Sequence, residues 1–189
     1  MLPILLALAF IAILFVIVIT GQPDEFKLSR STKISAPPEI IFPHVNDLHK
    51  WEAWSPWAKM DPNAKNSFEG PPSGVGTAMK WEGNCKVGVG KMTVTDSQPS
   101  NVIRFRLDFE KPMKATNLAE FTFLPDGGGT IVTWNMAGRN NLGGKIFGLL
   151  MNCDKMVGEQ FEKGLASLGG IVSAPAVAPG SKQAGHAHP

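Results

Sequence analysis

The segment SAPPEIIFPHVNDLHKWEAWSPWAKMD, residues 35–61, decides the fold of this chain. It follows the alternating stretch FKLSRSTKIS, whose period of two predicts a strand with one mostly apolar face. The two prolines at 37–38 end that strand, and Pro38 suits the first turn of a helix, where its missing N–H needs no partner. A second short helix is predicted over 47–54. The segment therefore predicts two short helices directly after the first strand.

Three of the five tryptophans, Trp51, Trp54 and Trp57, lie within seven residues of this segment. Aromatic residues at positions i, i+3 and i+6 lie near one face of a helix. Core packing is one interpretation of this pattern. The alternative is that the rings line the mouth of an apolar cavity.

A loop rich in proline and glycine is predicted over 56–76, and five further strands follow it. Short turns separate these strands and favour an antiparallel meander, because parallel strands need crossovers of a dozen residues or more. The predicted strands are 77–82, 86–97, 102–109, 115–124 and 130–137. With the first strand they make a six-stranded sheet that has one apolar face and one wet face.

Apolar residues recur at helical spacing over 141–168 and predict one long amphipathic helix, which Gly169 and Gly170 end. Residues 170–189 are mostly small, polar, proline or glycine, and predict a disordered tail. One helix against an antiparallel sheet is an α+β architecture.

The order of a strand, AP-E-IF--VNDLH-W--WSPW and a long sheet resembles the START, birch-pollen-allergen and polyketide-cyclase superfamily, often written SRPBCC. The segment GNCKVGVGKM, residues 83–92, is similar to the GN--VG-G-M of a subgroup of that family. The resemblance covers about residues 26–168. It implies a helix-grip fold, in which a curved antiparallel β-sheet surrounds a long C-terminal helix. The resemblance does not imply any particular reaction for this chain.

The resemblance also implies a cavity between the sheet and the long helix, and apolar cavities with few polar groups are the usual ligand sites. A filled core is the alternative. Methionine adapts to apolar ligands of varied shape, which favours its use there. The candidate ligand-binding residues are Trp54, Trp57, Met79, Trp81, Met92, Phe105, Phe121, Trp134 and Met151, with Phe123, Met136 and Phe161 as further candidates.

The N-terminal segment from Leu2 to Ile19 has 18 residues and no charge. This length meets the lower limit for a membrane-spanning helix. A cleaved signal peptide is the alternative, but no Lys or Arg precedes the apolar run, as such a peptide requires. We expect a single-pass anchor in the cell membrane over 1–22, a helix-grip domain over 23–169 and a tail over 170–189. The side of the membrane that the domain occupies stays open.

Charge and cysteine spacing exclude several other classes of partner. The formal net charge is +2, and no run of five or six basic residues favours a nucleic-acid partner. Cys85 and Cys153 lack the spacing of a zinc site, so neither a metal nor a cofactor is predicted. Two buried free thiols are expected, with one disulfide as the alternative.

Glu82 and Asp154 are the two carboxylates on which an enzymatic function would have to depend. Two carboxylates in one apolar site split their pKa values, as acid/base chemistry needs. We expect that these two do not meet. The predicted function is a membrane-anchored binding protein for a lipid or other hydrophobic small molecule. The alternatives are an enzyme similar to polyketide cyclases and dehydratases, or a protein-interaction module without a ligand.

Overall fold

The computed structural model describes residues 1–150 and 153–173. The first elements along the chain are α1 (Leu2–Thr20), β1 (Glu25–Ile34), α2 (Pro38–Asn46), α3 (Trp51–Trp54) and α4 (Pro56–Met60), with a 3₁₀ turn at Leu48–Lys50. Six strands follow: β2 (Lys65–Glu69), β3 (Ala78–Glu82), β4 (Val89–Gln98), β5 (Val102–Lys111), β6 (Ala115–Asp126) and β7 (Gly129–Arg139). The last described elements are α5 (Leu142–Leu150) and α6 (Cys153–Ser173).

The seven strands form one antiparallel sheet in the order β1-β7-β6-β5-β4-β3-β2. Register shifts between Val89 and Gly90 and between Val94 and Asp96 interrupt the ladder of β4 and β5, and such bulges bend a sheet. Helix α6 lies along β1, since Asp154 binds Arg30 and Gly169 lies against Ile34. A curved antiparallel sheet that holds a long C-terminal helix is the helix-grip fold.

The predicted helix after β1 is confirmed as α2. Pro38 occupies its first turn together with Glu39, where acidic groups suit the positive end of the helix dipole. Ile41, Phe42 and Val45 form its buried face. This face packs into the core that fills the space between the sheet and α6.

The second short helix of the sequence analysis is divided in the structure. Asp47 accepts a hydrogen bond from the backbone N–H of His49 at 3.0 Å and caps the 3₁₀ turn. Helix α3 then holds Trp51 and Trp54, and Pro56 begins α4. Helix α4 was not predicted, because its five residues lie in a segment rich in turn signals.

The prediction of six strands is wrong by one, because β2 lies inside the predicted loop over 56–76. β2 pairs with β3 at the edge of the sheet, with Phe68 opposite Met79. All five residues of β2 are exposed. A strand without a buried face carries no alternation of apolar and polar residues, so no local pattern indicates it.

The end of the C-terminal helix was also predicted wrongly. Helix α6 continues through Gly169 and Gly170 to Ser173, because Ile171 and Val172 still pack against the core. Residues 170–173 therefore belong to the helix, and the rest of the predicted tail lies outside the described residues. The single helix predicted over 141–168 corresponds to α5 and α6, and residues 151–152 between them lie outside the described part of the chain.

Helix α1 is continuous, as predicted for residues 2–19, and stands apart from the folded domain. Its apolar residues are exposed along nearly the whole length, and Ile19 next to the domain is buried. Its most apolar 18-residue window has a mean hydropathy of 3.3, with 6% of it buried. A membrane span and a signal sequence both meet this description.

Candidate ligand-binding site

The chain passes from α1 into β1 at one end of the sheet, which we call the α1 end. This end comprises the first residues of β1 and β6 and the last residues of β5 and β7. Asp24, just before β1, binds the ammonium group of Lys145 on α5 at 2.5 Å. The side-chain amide of Asn141 donates to the carbonyl of Lys114 at 3.2 Å. These bonds hold α5 and the β5–β6 hairpin beside the exit of α1.

The sheet face that packs against α6, called here the concave face, becomes more exposed towards the α1 end. At the far end Ile103, Phe121 and Val132 have no exposed surface. Closer to α1, Leu107 and Met136 are half-buried, although they belong to the same face. The described contacts of α6 with β1 run from Arg30 to Ile34, away from the α1 end. The concave face is thus a groove that is closed at one end and open towards α1.

Six residues that pair across the sheet form the floor of this groove, and we call them the open row. Within the row Met92 and Asn117 are buried, and the other side chains are half-buried. The open row consists of Phe26, Gly138, Asn117, Leu107, Met92 and Met79.

Aromatic side chains close the far end of the groove. The ring of Trp134 stacks on Phe161 of α6, with centroids 4.0 Å apart and planes 5° apart. The ring of Phe121 also packs against Trp134, with centroids 4.6 Å apart. Trp51 packs edge-on to Phe105 and Phe121. At this end the chain fills its own cavity.

Trp51 and Trp54 also have a structural role that the sequence did not reveal. The indole N–H of Trp51 donates to the carbonyl of Val45 at 2.9 Å, and that of Trp54 donates to the carbonyl of His44 at 3.0 Å. Both carbonyls belong to the last turn of α2, where backbone acceptors lack partners within the helix. The two indoles therefore satisfy the C-terminal end of α2 while filling the core.

Trp57 and Trp81 are half-buried and lie on α4 and on β3. Trp57 packs edge-on to Trp134, with centroids 5.6 Å apart. The Trp81 ring lies over Gly90 and packs against Phe109 at 5.7 Å. The Oδ2 atom of Asp61, next to α4, accepts from the backbone N–H of Asn84 at 2.6 Å. This bond fastens the end of α4 to the β3–β4 turn, so α4 and β3 border the groove.

The structure divides the predicted ligand-binding residues into two groups. Trp54, Met92, Phe105, Phe121 and Trp134 are buried in the core, as are Phe123 and Phe161. Trp57, Met79, Trp81 and Met136 are half-buried. Met151 lies outside the described residues.

An open hollow of about 690 Å³ lies beside the ends of β5 and β6. Phe109 and Ala115, which line it, pair with each other next to the open row. The other lining residues are Asp108, Glu110, Lys114 and Thr116. These four residues are out of phase with the concave face, so the hollow lies at the α1 end of the sheet but most of its lining belongs to the opposite face.

Arg30 lies on the concave face and was not among the predicted site residues. Its guanidinium binds Asp154 at 3.1 Å and Glu162 at 2.8 Å, both on α6. Hydrogen bonding to Asp154 raises the pKa of Arg30, burial opposes the change, and Glu162 adds to it. The sequence does contain a sign of this role, because Arg30 is in phase with Phe26, Leu28 and Ile34. An isolated cation on an apolar face needs a partner.

Asp154 and Glu82, the two carboxylates of the enzyme hypothesis, lie on different elements, α6 and β3. Asp154 is exposed and bound to Arg30, and Glu82 is exposed at the end of β3. Neither faces an enclosed space with the other. Among residues 1–150 and 153–173 there is also no group of three His, Cys, Asp or Glu side chains that could hold a metal ion.

The expectation of two buried thiols is wrong for Cys85, which is free and exposed in the β3–β4 turn. Its neighbours Asn84 and Lys86 are polar and exposed as well, so Cys85 lies in a turn that buries no apolar surface around it. The side chain of Cys153 lies outside the described part of the structure.

These features define a helix-grip domain with an apolar groove. The family model described as "Polyketide cyclase / dehydrase and lipid transport" matches residues 25–170, and the chain belongs to this family. A comparison with curated proteins finds no significant match.

Solved structures share the fold at low sequence identity. Protein CV1439 from Chromobacterium violaceum has 16% identity and a TM-score of 0.57, over 82% of this chain and 100% of its own. Ara h 8.0201 has 10% identity and a TM-score of 0.54, over 78% and 97%. The di-domain ARO/CYC BexL from the BE-7585A biosynthetic pathway has 12% identity and a TM-score of 0.58, over 85% and 54%. At such identities the likeness concerns the fold.

Proposed function

We propose that this protein is a membrane-anchored binding protein for a lipid or another hydrophobic small molecule, which lies on the open row. The observation that carries the proposal is the half-buried state of Phe26, Leu107, Met79 and Met136 on a face whose far end is sealed. Covering such surface with an apolar ligand is favourable by roughly 25 cal/mol per Å², before the costs of association. The family description, which includes lipid transport, supports the same ligand class.

The position of α1 supports a membrane source for that ligand. A helix of 19 residues is about 28 Å long, close to the hydrocarbon thickness of about 30 Å. Four residues, 21–24, separate α1 from β1, and an extended chain of that length reaches about 14 Å at most. With α1 in a bilayer, the open end of the groove lies close to the surface from which a lipidic ligand would enter.

Membrane anchoring is tested first, on the full chain expressed in bacterial cells. We expect the protein in the membrane fraction after alkaline carbonate washing. Its N-terminal residue should be Met1 or Leu2, so that the whole of α1 is retained. A soluble protein, or a mature N-terminus after Thr20, would show that α1 is a signal sequence.

Ligand binding is tested by photolabelling the full chain in liposomes with a C16 alkyl probe that carries a mid-chain diazirine. We expect labelled peptides from β5, β6 and β7 as well as from α1, which serves as the internal reference for probe in the bilayer. Met136→Trp should fill the groove and abolish sheet labelling. Leu118→Trp is the matched control, because Leu118 is 61% exposed on the opposite face of the neighbouring strand. Labelling of α1 alone in the unaltered protein contradicts the proposal.

A further inference from the structure

Asn117 is a buried amide among apolar neighbours on the floor of the groove. Along β6 it is in phase with Ala119, Phe121 and Phe123, which all face the core. Across the sheet it lies between Leu107 and Gly138. Its exposed fraction is 8%. A polar residue at this position interrupts an otherwise apolar surface.

The amide of Asn117 has no hydrogen-bond partner in the described part of the chain. Two other buried polar side chains have one: Thr77 donates to the carbonyl of Pro71 at 3.0 Å, and Thr130 donates to that of Ala36 at 2.7 Å, whereas the Nε1 atom of Trp134 has none in the described part of the chain. The amide atoms of Asn117 are not among the fully enclosed polar atoms without a partner, of which Trp134 Nε1 is the one among the described residues, so they keep contact with solvent. The isolated amide of Asn117 is therefore available to a ligand.

Gly138 makes the space in which this amide lies. A Cβ atom at position 138 would overlap Oδ1 and Cγ of Asn117 as well as the ring of Phe26. Glycine inside a strand weakens it and commonly marks a close approach of another group. Here the group that approaches is the Asn117 amide, which a larger residue on β7 would displace.

The charges around the groove indicate which oxygen group the amide suits. Its neighbours in the open row are apolar, and Arg30 further along the concave face is already neutralised by Asp154 and Glu162. An ionised carboxylate or phosphate placed beside Asn117 would thus have no free cation from these residues. A primary amide offers one acceptor and two donor hydrogens, which match an uncharged hydroxyl or carbonyl group.

We propose that Asn117 is the polar recognition residue of the groove, and that the ligand is an uncharged hydrophobic molecule bearing a hydroxyl or carbonyl group. The apolar part of the ligand covers the half-buried side chains of the open row, and its oxygen bonds to the Asn117 amide. This inference rests on the proposed ligand-binding function and narrows its ligand class.

The test compares two C16 probes with the same mid-chain diazirine, one an alkane and one a primary alcohol. The full chain is photolabelled in liposomes, and the labelling of β5–β7 is divided by that of α1. We expect this ratio to be about five-fold higher for the alcohol, the scale of one net hydrogen bond. Asn117→Leu should make the two probes equal while the alkane still labels the sheet.

A second measurement separates recognition from structure. Because the amide has no partner among residues 1–150 and 153–173, Asn117→Leu should leave the thermal unfolding temperature equal or higher, whereas a structural amide would lower it. Gly138→Ala keeps the amide but displaces it, and should also remove the preference for the alcohol. It provides the same test if Asn117→Leu does not fold.

The outcomes distinguish the two proposals. Equal labelling by both probes in the unaltered protein, or a preference that survives Asn117→Leu, overturns the role of Asn117 and leaves the ligand-binding groove standing. Labelling of α1 alone by both probes overturns the groove and the role of Asn117 together.

Discussion

Arg30 of β1 lies against Gly158 of α6, where even a methyl group on the helix would overlap the guanidinium. Asp154 and Glu162, four residues before and after Gly158, bind that guanidinium from the same helix face. The three positions on α6 thus form one docking surface for an arginine of the sheet. This contact fixes where α6 crosses β1, and thereby where the groove begins.

The first prediction concerns the coupling of Arg30 and Gly158. Replacing a helix glycine by alanine stabilises a helix by about 0.5–1 kcal/mol. We expect Gly158→Ala to show this gain in an Arg30→Ala background, and to show none or a loss when Arg30 is present. Urea unfolding of the full chain in mild detergent measures both effects as a double-mutant cycle. The same change in both backgrounds would mean that the Arg30–Gly158 contact has no energetic weight.

The second prediction separates indoles that have a hydrogen-bond partner from one that has none. Trp54 donates to the end of α2, whereas the Nε1 atom of Trp134 is buried without a partner in the described part of the chain. Trp→Phe removes a similar volume at either site. We expect Trp54→Phe to cost more unfolding free energy than Trp134→Phe by about 1 kcal/mol, because it also removes the hydrogen bond to the part-buried carbonyl of His44. Equal costs would indicate that the indole–carbonyl bond contributes nothing.

The parts of the fold that the sequence predicted well are those with strong local patterns. Alternation in β1 and in β3–β7, together with turn residues between them, was enough to place six strands within a few residues of their ends. Those strands bury one face, and burial is what produces alternation. The edge strand β2 buries no side chain and was therefore missed.

The site was predicted less completely, because its decisive residues break the pattern that identifies a strand. Apolar side chains of the concave face could be listed from alternation, but alternation does not tell a sealed core from an open groove. Asn117 and Arg30 occupy apolar phases of β6 and β1, so they weaken the strand signal while marking the positions of interest. Their meaning depends on Gly138 and Gly158, which lie far away in sequence.

The third prediction concerns pH. Burial lowers the pKa of His44 below its ordinary value of 6.5, the nearby Lys50 cation lowers it further, and Asp47 opposes the change. A histidine with a lowered pKa in the folded state favours folding fully above pH 6.5, and this contribution is lost as the pH falls through the folded-state pKa. We expect the His44 ring to titrate below pH 6.5 in NMR spectra, and His44→Gln to reduce the loss of stability between pH 7.5 and 5. A midpoint at or above 6.5 would contradict the prediction.

The last prediction compares Trp54 with Trp57, two neighbours in sequence with different surroundings. Trp54 has no exposed surface and is bonded to α2, whereas Trp57 is half-buried at the border of the groove. Trp54→Ala should lower the unfolding free energy by about 3–5 kcal/mol, as expected for the truncation of a core aromatic residue. Trp57→Ala should cost less stability, because part of its ring is already in water. It should nevertheless lower the labelling ratio of sheet to α1 for the alkyl probe, because it removes one wall of the groove. Trp57→Ala should therefore change ligand binding clearly while it changes the unfolding free energy little. Urea unfolding and the labelling ratio of sheet to α1, measured on the same preparations, check both expectations. If Trp57→Ala lowers stability as much as Trp54→Ala and leaves the labelling ratio unchanged, then Trp57 belongs to the core and the groove has a different border.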